Sequence, residues 1–151
     1  MGKNSVKITV DDRQLQKAFK QLPRQLQRDV DKAVESSAIT FLDLLKNDIL
    51  NQKGSGNQII VRQKAGAAGS PHKPSVEGEP PSPITSVYRS SWQRSKVRSA
   101  LQRVATADRR GPWLEYGTRT MGERPHVRPA VQQHKSAHVK MVTQAIQKLR
   151  P

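Results

Sequence analysis

A mixed α+β domain follows from three features of the sequence. Two long stretches carry apolar residues every three or four positions, two adjacent stretches alternate apolar with polar residues, and a Gly/Pro-rich interval separates the patterns. Together they predict a small antiparallel sheet packed against a long helix of the N-terminal half and a C-terminal helix. A long Gly/Pro-rich loop at 54–83 belongs to the same unit. A chain of 151 residues suits one domain spanning 1–151.

Val6 to Val10 (VKITV) alternates as a short half-buried strand does. Asp11 or Asp12 caps a first helix, in which Leu15, Ala18, Phe19 and Leu22 share a face until Pro23 interrupts. From Arg24, the positions Leu26, Val30, Ala33, Val34, Ala38, Phe41, Leu42, Leu45 and Ile49 form one apolar stripe. That is an amphipathic helix of about seven turns, ending near Lys53-Gly54. Its stripe requires a sheet or a second helix to cover it.

Residues 54–83 are rich in Gly, Pro and Ser, with one apolar run at Ile59-Ile60-Val61. The expectation is a loop, mobile in the isolated subunit, with a brief strand at Gln58 to Gln63. Val87 to Val97 and Ala100 to Ala107 read as two strands of a hairpin turning at Lys96 to Ser99. Val127 to Leu149 returns to helical spacing, with Pro129 suited to its first turn.

The formal charge of +15 is uneven: residues 1–50 hold nine Lys/Arg against seven Asp/Glu, and residues 51–151 hold 18 against 5. A field of that sign favours nucleic acid or an acidic protein surface as neighbour, or else serves solubility. Without cysteine, disulfides, thiolate chemistry and Cys-ligated zinc are excluded. No signal-peptide core and no apolar run approaching ~18 residues is visible, so a soluble protein with no membrane partner is expected.

Few residues offer chemistry. His134 and His138 stand four apart on the last helix, a spacing that serves either a metal or a polar helix face. Lys135 and Lys140 beside them repel cations, and no cofactor is expected. Glu115 and Glu123, eight residues apart, are a conceivable carboxylate pair for glycoside chemistry, and nothing supplies a cleft; no enzymatic activity is expected. Arg89, Arg94, Lys96, Arg98, Arg103, Arg109 and Arg110 populate the proposed hairpin and its flanks. Arg94, Lys96 and Arg98 would share one face, either a solvated one or one that tracks a phosphate backbone without reading sequence.

The stretch from Gly111 to Pro125, GPWLEYGTRTMGERP, mixes the most chemistry. Gly111-Pro112 signals a turn, Gly117 supplies a tight or left-handed position, and Pro125 and Pro129 stiffen the approach to the last helix. Trp113 and Tyr116 are either interface anchors or plugs of the subunit's own core, and Leu114 reads as core. Glu115 could pair across subunits with Arg119, Arg124 or Arg128.

WLEYGTRTMGERPHVRPAV, from Trp113 to Val131, resembles the signature of tail-completion and head–tail joining (neck) proteins, minor tail components of long-tailed double-stranded DNA phages. In that family a Glu-Tyr-Gly-Thr turn, a Met, an Arg-Pro and a Pro-Ala lead into the final helix. EGEPPSPITSVYRSSW, from Glu77 to Trp92, is similar to its Gly-x-Pro-Pro segment followed by Thr-Gly-x-Leu and a Ser. Ser86 stands where the family commonly has glycine, and His126 where an aromatic such as phenylalanine is usual. The order of elements matches along nearly the whole chain.

The resemblance implies a non-enzymatic virion protein, assembled in the host cytoplasm, that forms a ring, commonly a hexamer. Such rings stack on other neck, connector or tail-tube proteins, with double-stranded DNA passing through. A ring needs one patch to meet a different patch on the next subunit. Trp113, Glu115, Tyr116, Gly117, Thr118, Arg124, Pro125 and Arg128 are the expected interface residues, with the 54–83 loop on the other side. The alternative is a basic DNA-binding protein that contacts the phosphate backbone without sequence specificity.

Overall fold

The computed structural model describes residues 13–62, 68–82 and 86–148; the strand expected at Val6 to Val10, the Asp11/Asp12 cap and Leu149 lie outside them. The fold is α+β. Helix α1 (Arg13–Lys20) stops before Pro23, which opens α2 (Arg24–Asp43). A proline at that position sacrifices no intrahelical hydrogen bond. The stripe of α2 runs directly into a π-helical turn at Leu44–Ile49, where the Leu50 N–H donates to the Leu45 carbonyl at 2.8 Å. A five-residue step stacks Leu50 over Leu45, so Leu45, Ile49 and Leu50 all reach the core at the end of the helix.

Helix α5 (Val127–Gln147) covers that stripe. Ser37 meets His138 and His134, and Phe41 meets His134, so the two helices run antiparallel. The hairpin of β3 (Trp92–Arg98) and β4 (Leu101–Thr106), in which Trp92 faces Thr106 and Lys96 faces Gln102, also packs on α2. A bulge between Lys96 and Arg98 and a positive φ of 52° at Ala100 make the turn. Asp31 of α2 accepts the Ala100 N–H and fixes that turn from outside.

Residues 87–90, expected to begin the first strand, form instead a single helical turn, α3 (Val87–Ser90). Helical spacing puts Tyr88 and Trp92 on one side, where both enter the core with Leu45, Ile49, Leu50 and Ala130. A second small sheet pairs β1 (Ile59–Val61) with β2 (Ser70–His72) inside the expected loop. Pro71 is tolerated because a two-stranded ribbon has only edges.

The described parts of that loop, expected to be mobile, are held by specific contacts within the single chain. Gly56 N–H donates to the Pro74 carbonyl at 2.9 Å, and a Cβ on Gly54 would stand 2.1 Å from that oxygen, so only glycine permits the approach. The Glu79 carboxylate accepts the Ser55 and Val76 N–H groups, both at 3.1 Å. Composition signalled a flexible segment because it records which backbone shapes are allowed, not which partners then fix them.

Candidate functional site

The segment 110–128 is where the chain gathers its chemistry, and it begins with a short helix rather than a turn: α4 (Arg110–Tyr116). Gly111 occupies its first turn, facing Thr106 and the Tyr88 hydroxyl. Gly117 ends it at φ 72°, and a Cβ there would lie 2.8 Å from the Met121 carbonyl. Both the left-handed φ and the crowding demand glycine.

Within α4, successive side chains go to opposite fates. Leu114 packs against the core, as expected. Trp113 and Tyr116 point outward, 55% and 59% exposed. That answers which way the two aromatics face: neither plugs its own core.

Glu115, expected at a subunit interface, is only 4% exposed and spends its carboxylate inside the chain. One oxygen accepts the His126 and Val127 N–H groups, each at 2.9 Å; the other accepts the Arg128 N–H and its Nε–H, each at 3.0 Å. These backbone groups are donors that the start of α5 leaves without intrahelical partners, so Glu115 closes the N-terminus of α5 from a separate helix. Arg128, about half exposed, also donates to the Glu115 carbonyl and to Glu123, and its guanidinium lies 5.4 Å over the Tyr116 ring.

Burial alone would raise the Glu115 carboxyl. The three backbone hydrogen bonds and the adjacent His126 outweigh it and hold the group below the ordinary carboxylate range. The fifth contact is His126 Nδ1, 3.1 Å from the Glu115 carboxylate and 3.0 Å from the Arg124 carbonyl. Both neighbours only accept, so Nδ1 carries the proton, and Nε2 takes the hydrogen bond of the Tyr88 hydroxyl at 2.6 Å. Burial pushes the His126 imidazole down, which favours this neutral form. His126 is fully buried and meets Tyr88 and Trp92 edge to face, so an imidazole fills an aromatic's place and adds two hydrogen bonds.

Of the other expected interface residues, Arg124 and Pro125 are turned inward, whereas Thr118 is exposed. Arg124 donates to Ser75 Oγ at 3.0 Å, to the Ser75 carbonyl and to the Gly122 carbonyl. Gly78 N–H donates to the Glu123 carbonyl at 2.9 Å. Pro125 is half-buried between Arg124 and His126, and exposed Thr118 bridges to Met121 across a tight turn. The ion pair expected between subunits, Glu115 with Arg128, forms within the single chain.

The basic stripe has a different setting from the one its alternation suggested. Arg94 and Lys96 face α2, where Arg94 pairs with Glu35 at 3.1 Å and Lys96 with Asp31 at 3.3 Å. Arg98 is likewise engaged. Arg89 donates to Asn51, and Arg110 clasps Asp108 beside the Tyr88 ring. Arg103 and Arg109 are exposed. The two α2 carboxylates that take up the stripe were visible in sequence as i, i+4 neighbours, but nothing local says which strand they meet.

His134 and His138 both turn toward Ser37 of α2, at 2.8 and 2.7 Å. Ser37, nearly fully buried, was not singled out by its sequence context. Among the described residues no group of three or more His, Asp or Glu stands together as a metal site, and no helix is long and apolar enough to cross a membrane. No family model, no curated protein and no solved structure matches the chain.

Proposed function

We propose that this chain is a structural virion protein of the phage neck or tail end, a tail-completion or head–tail joining component that assembles into a ring on the tail or connector. The reading rests on the resemblance of Trp113 to Val131 and of Glu77 to Trp92 to that family. The observation that carries it furthest is the pair of exposed aromatics on α4, Trp113 and Tyr116, set on a scaffold fixed from behind. Trp and Tyr dominate the residues that hold interfaces together, and anchors that are already ordered lose little entropy on docking.

In this reading Trp113 and Tyr116 are the contact, whereas Glu115, Gly117, Arg124, Pro125 and Arg128 hold them in place. Thr118 and Arg119 lie at the exposed rim. The neighbouring patch belongs to a second copy or to an adjacent neck, connector or tail-tube protein, and double-stranded DNA passes through the ring.

The double variant Trp113→Ala/Tyr116→Ala tests it. Each truncation at an interface anchor costs about 2 kcal/mol or more of binding, so ring formation and head–tail joining in a reconstituted assembly are lost while the monomer stays folded. A double variant that joins heads to tails as well as the parent refutes the reading. The pairing of Arg94 and Lys96 with α2 weighs against the DNA-binding alternative, which needs those cations free.

A further inference from the structure

We infer that Ser37, His134 and His138 form a latch between α2 and α5 that accepts one proton and is opened by a second. The Ser37 hydroxyl is shared by the two imidazoles, 2.8 Å from His134 Nε2 and 2.7 Å from His138 Nδ1. The rings stand 6.3 Å apart, on the interface of the two longest helices.

A serine hydroxyl has one proton to donate and two lone pairs to receive. With both rings neutral, Ser37 donates to one nitrogen and accepts from the other. With one ring protonated the chain still closes: the imidazolium donates to Oγ, and Oγ–H donates to the neutral ring. With both protonated, each ring can only donate. The hydroxyl hydrogen then has no acceptor in the latch, and two cations face each other across a buried oxygen.

The surroundings set which ring resists. His138 is exposed, whereas His134 is 8% exposed and packed on Phe41. Burial, then the neighbouring His138, hold the His134 imidazole below its ordinary range. On the α2 side, Asp43 at its end and Asp48 of the following turn line a small groove with His134. They make no ion pair with it and favour protonation only at longer range. On α5 itself, Lys135 and Lys140 flank the two histidines in sequence and add to the positive field.

The consequence is a proton inventory. The unfolded chain binds a proton at each of these imidazoles near pH 6.5, and the folded latch takes the second only at a lower pH than the unfolded chain does. The folded state therefore loses ground as pH falls below about 6.5, by about tenfold in the unfolding constant per pH unit for the proton it refuses.

Two measurements on the full chain test this. An NMR titration of the imidazole ring protons of the wild type gives two coupled steps, the second more than one pH unit below the first. Both rings titrating together in one step overturn the latch. Urea unfolding from pH 7.5 to 4.5 is then compared with His138→Gln, whose side-chain oxygen still accepts from Ser37 while His134 keeps its single proton. The variant keeps the part of the slope that burial of His134 causes and loses the part that the second histidine adds, so its slope is shallower; His126 contributes equally to both proteins. An unchanged slope overturns the inference. If His138→Gln does not fold, the wild-type titration alone decides.

Discussion

Removing the Glu115 carboxylate is the most revealing single change available in this protein. Glu115→Ala deletes the acceptor of three backbone N–H groups at the start of α5, of Arg128 Nε, and of the contact with His126 Nδ1. A lost helix cap costs about 0.5–2 kcal/mol, and each buried donor left without a partner about 1–3 kcal/mol. Arg128 is half exposed and recovers its hydrogen bonds from water, so it adds little. The His126 and Val127 N–H groups are not so placed. Two such donors make the expected loss about 2–6 kcal/mol. Urea unfolding at pH 7 measures it. Glu115→Gln keeps one acceptor oxygen but turns an amide N–H₂ toward donors, and should fall between the alanine variant and the parent.

The pH dependence supplies an independent check. Because the folded carboxyl lies below its ordinary value of 4.5, its contribution is complete above that pH and is lost as the pH falls through the folded value. The parent should therefore weaken below pH 4.5 more steeply than Glu115→Gln. If either variant stays within about 0.5 kcal/mol of the parent, the range of an unremarkable surface change, Glu115 is not the keystone described.

Gly117→Ala forces a side chain to φ 72° and against the Met121 carbonyl; the expected cost in urea unfolding is about 1–3 kcal/mol. Arg124→Ala frees Ser75 and the loop it clamps, so hydrogen exchange at 54–56 and 74–79 should accelerate while that of α2 stays unchanged. Arg94→Ala/Lys96→Ala should leave the salt dependence of any duplex DNA binding unaltered, whereas Arg103→Ala/Arg109→Ala should reduce its slope by about 2 if those exposed cations touch phosphates.

Periodicity located the helices because it records which face a helix must bury. It therefore found the starts of α2 and α5 at Arg24 and Val127, while placing the end of the first about four residues too late, near Lys53-Gly54 rather than Ile49. It missed the π-turn because a stripe of Leu and Ile tolerates a five-residue step as readily as a four-residue one. Tyr88 and Trp92 lie four apart in a stretch that otherwise alternates, so helix and strand competed there on equal terms, and burial of both rings decided it. The partners of charged groups were the least legible part. Glu115 next to two exposed aromatics looked like an interface residue, and only the return of the chain at His126 to Arg128 shows that it faces inward. The hairpin cations misled in the same way, because Asp31 and Glu35 sit about sixty residues upstream on another element.

The placement of Glu115 between Trp113 and Tyr116 also makes the segment a mechanical joint. A pull on Tyr116 is borne one residue away, and a pull on Trp113 two residues away, by a carboxylate that grips the first turn of α5. The force enters that helix along its axis, where a ladder of hydrogen bonds shares it, and reaches α2 through the length of their contact. Strain at the surface is thus spread over the two longest elements of the molecule rather than peeling off a seven-residue helix.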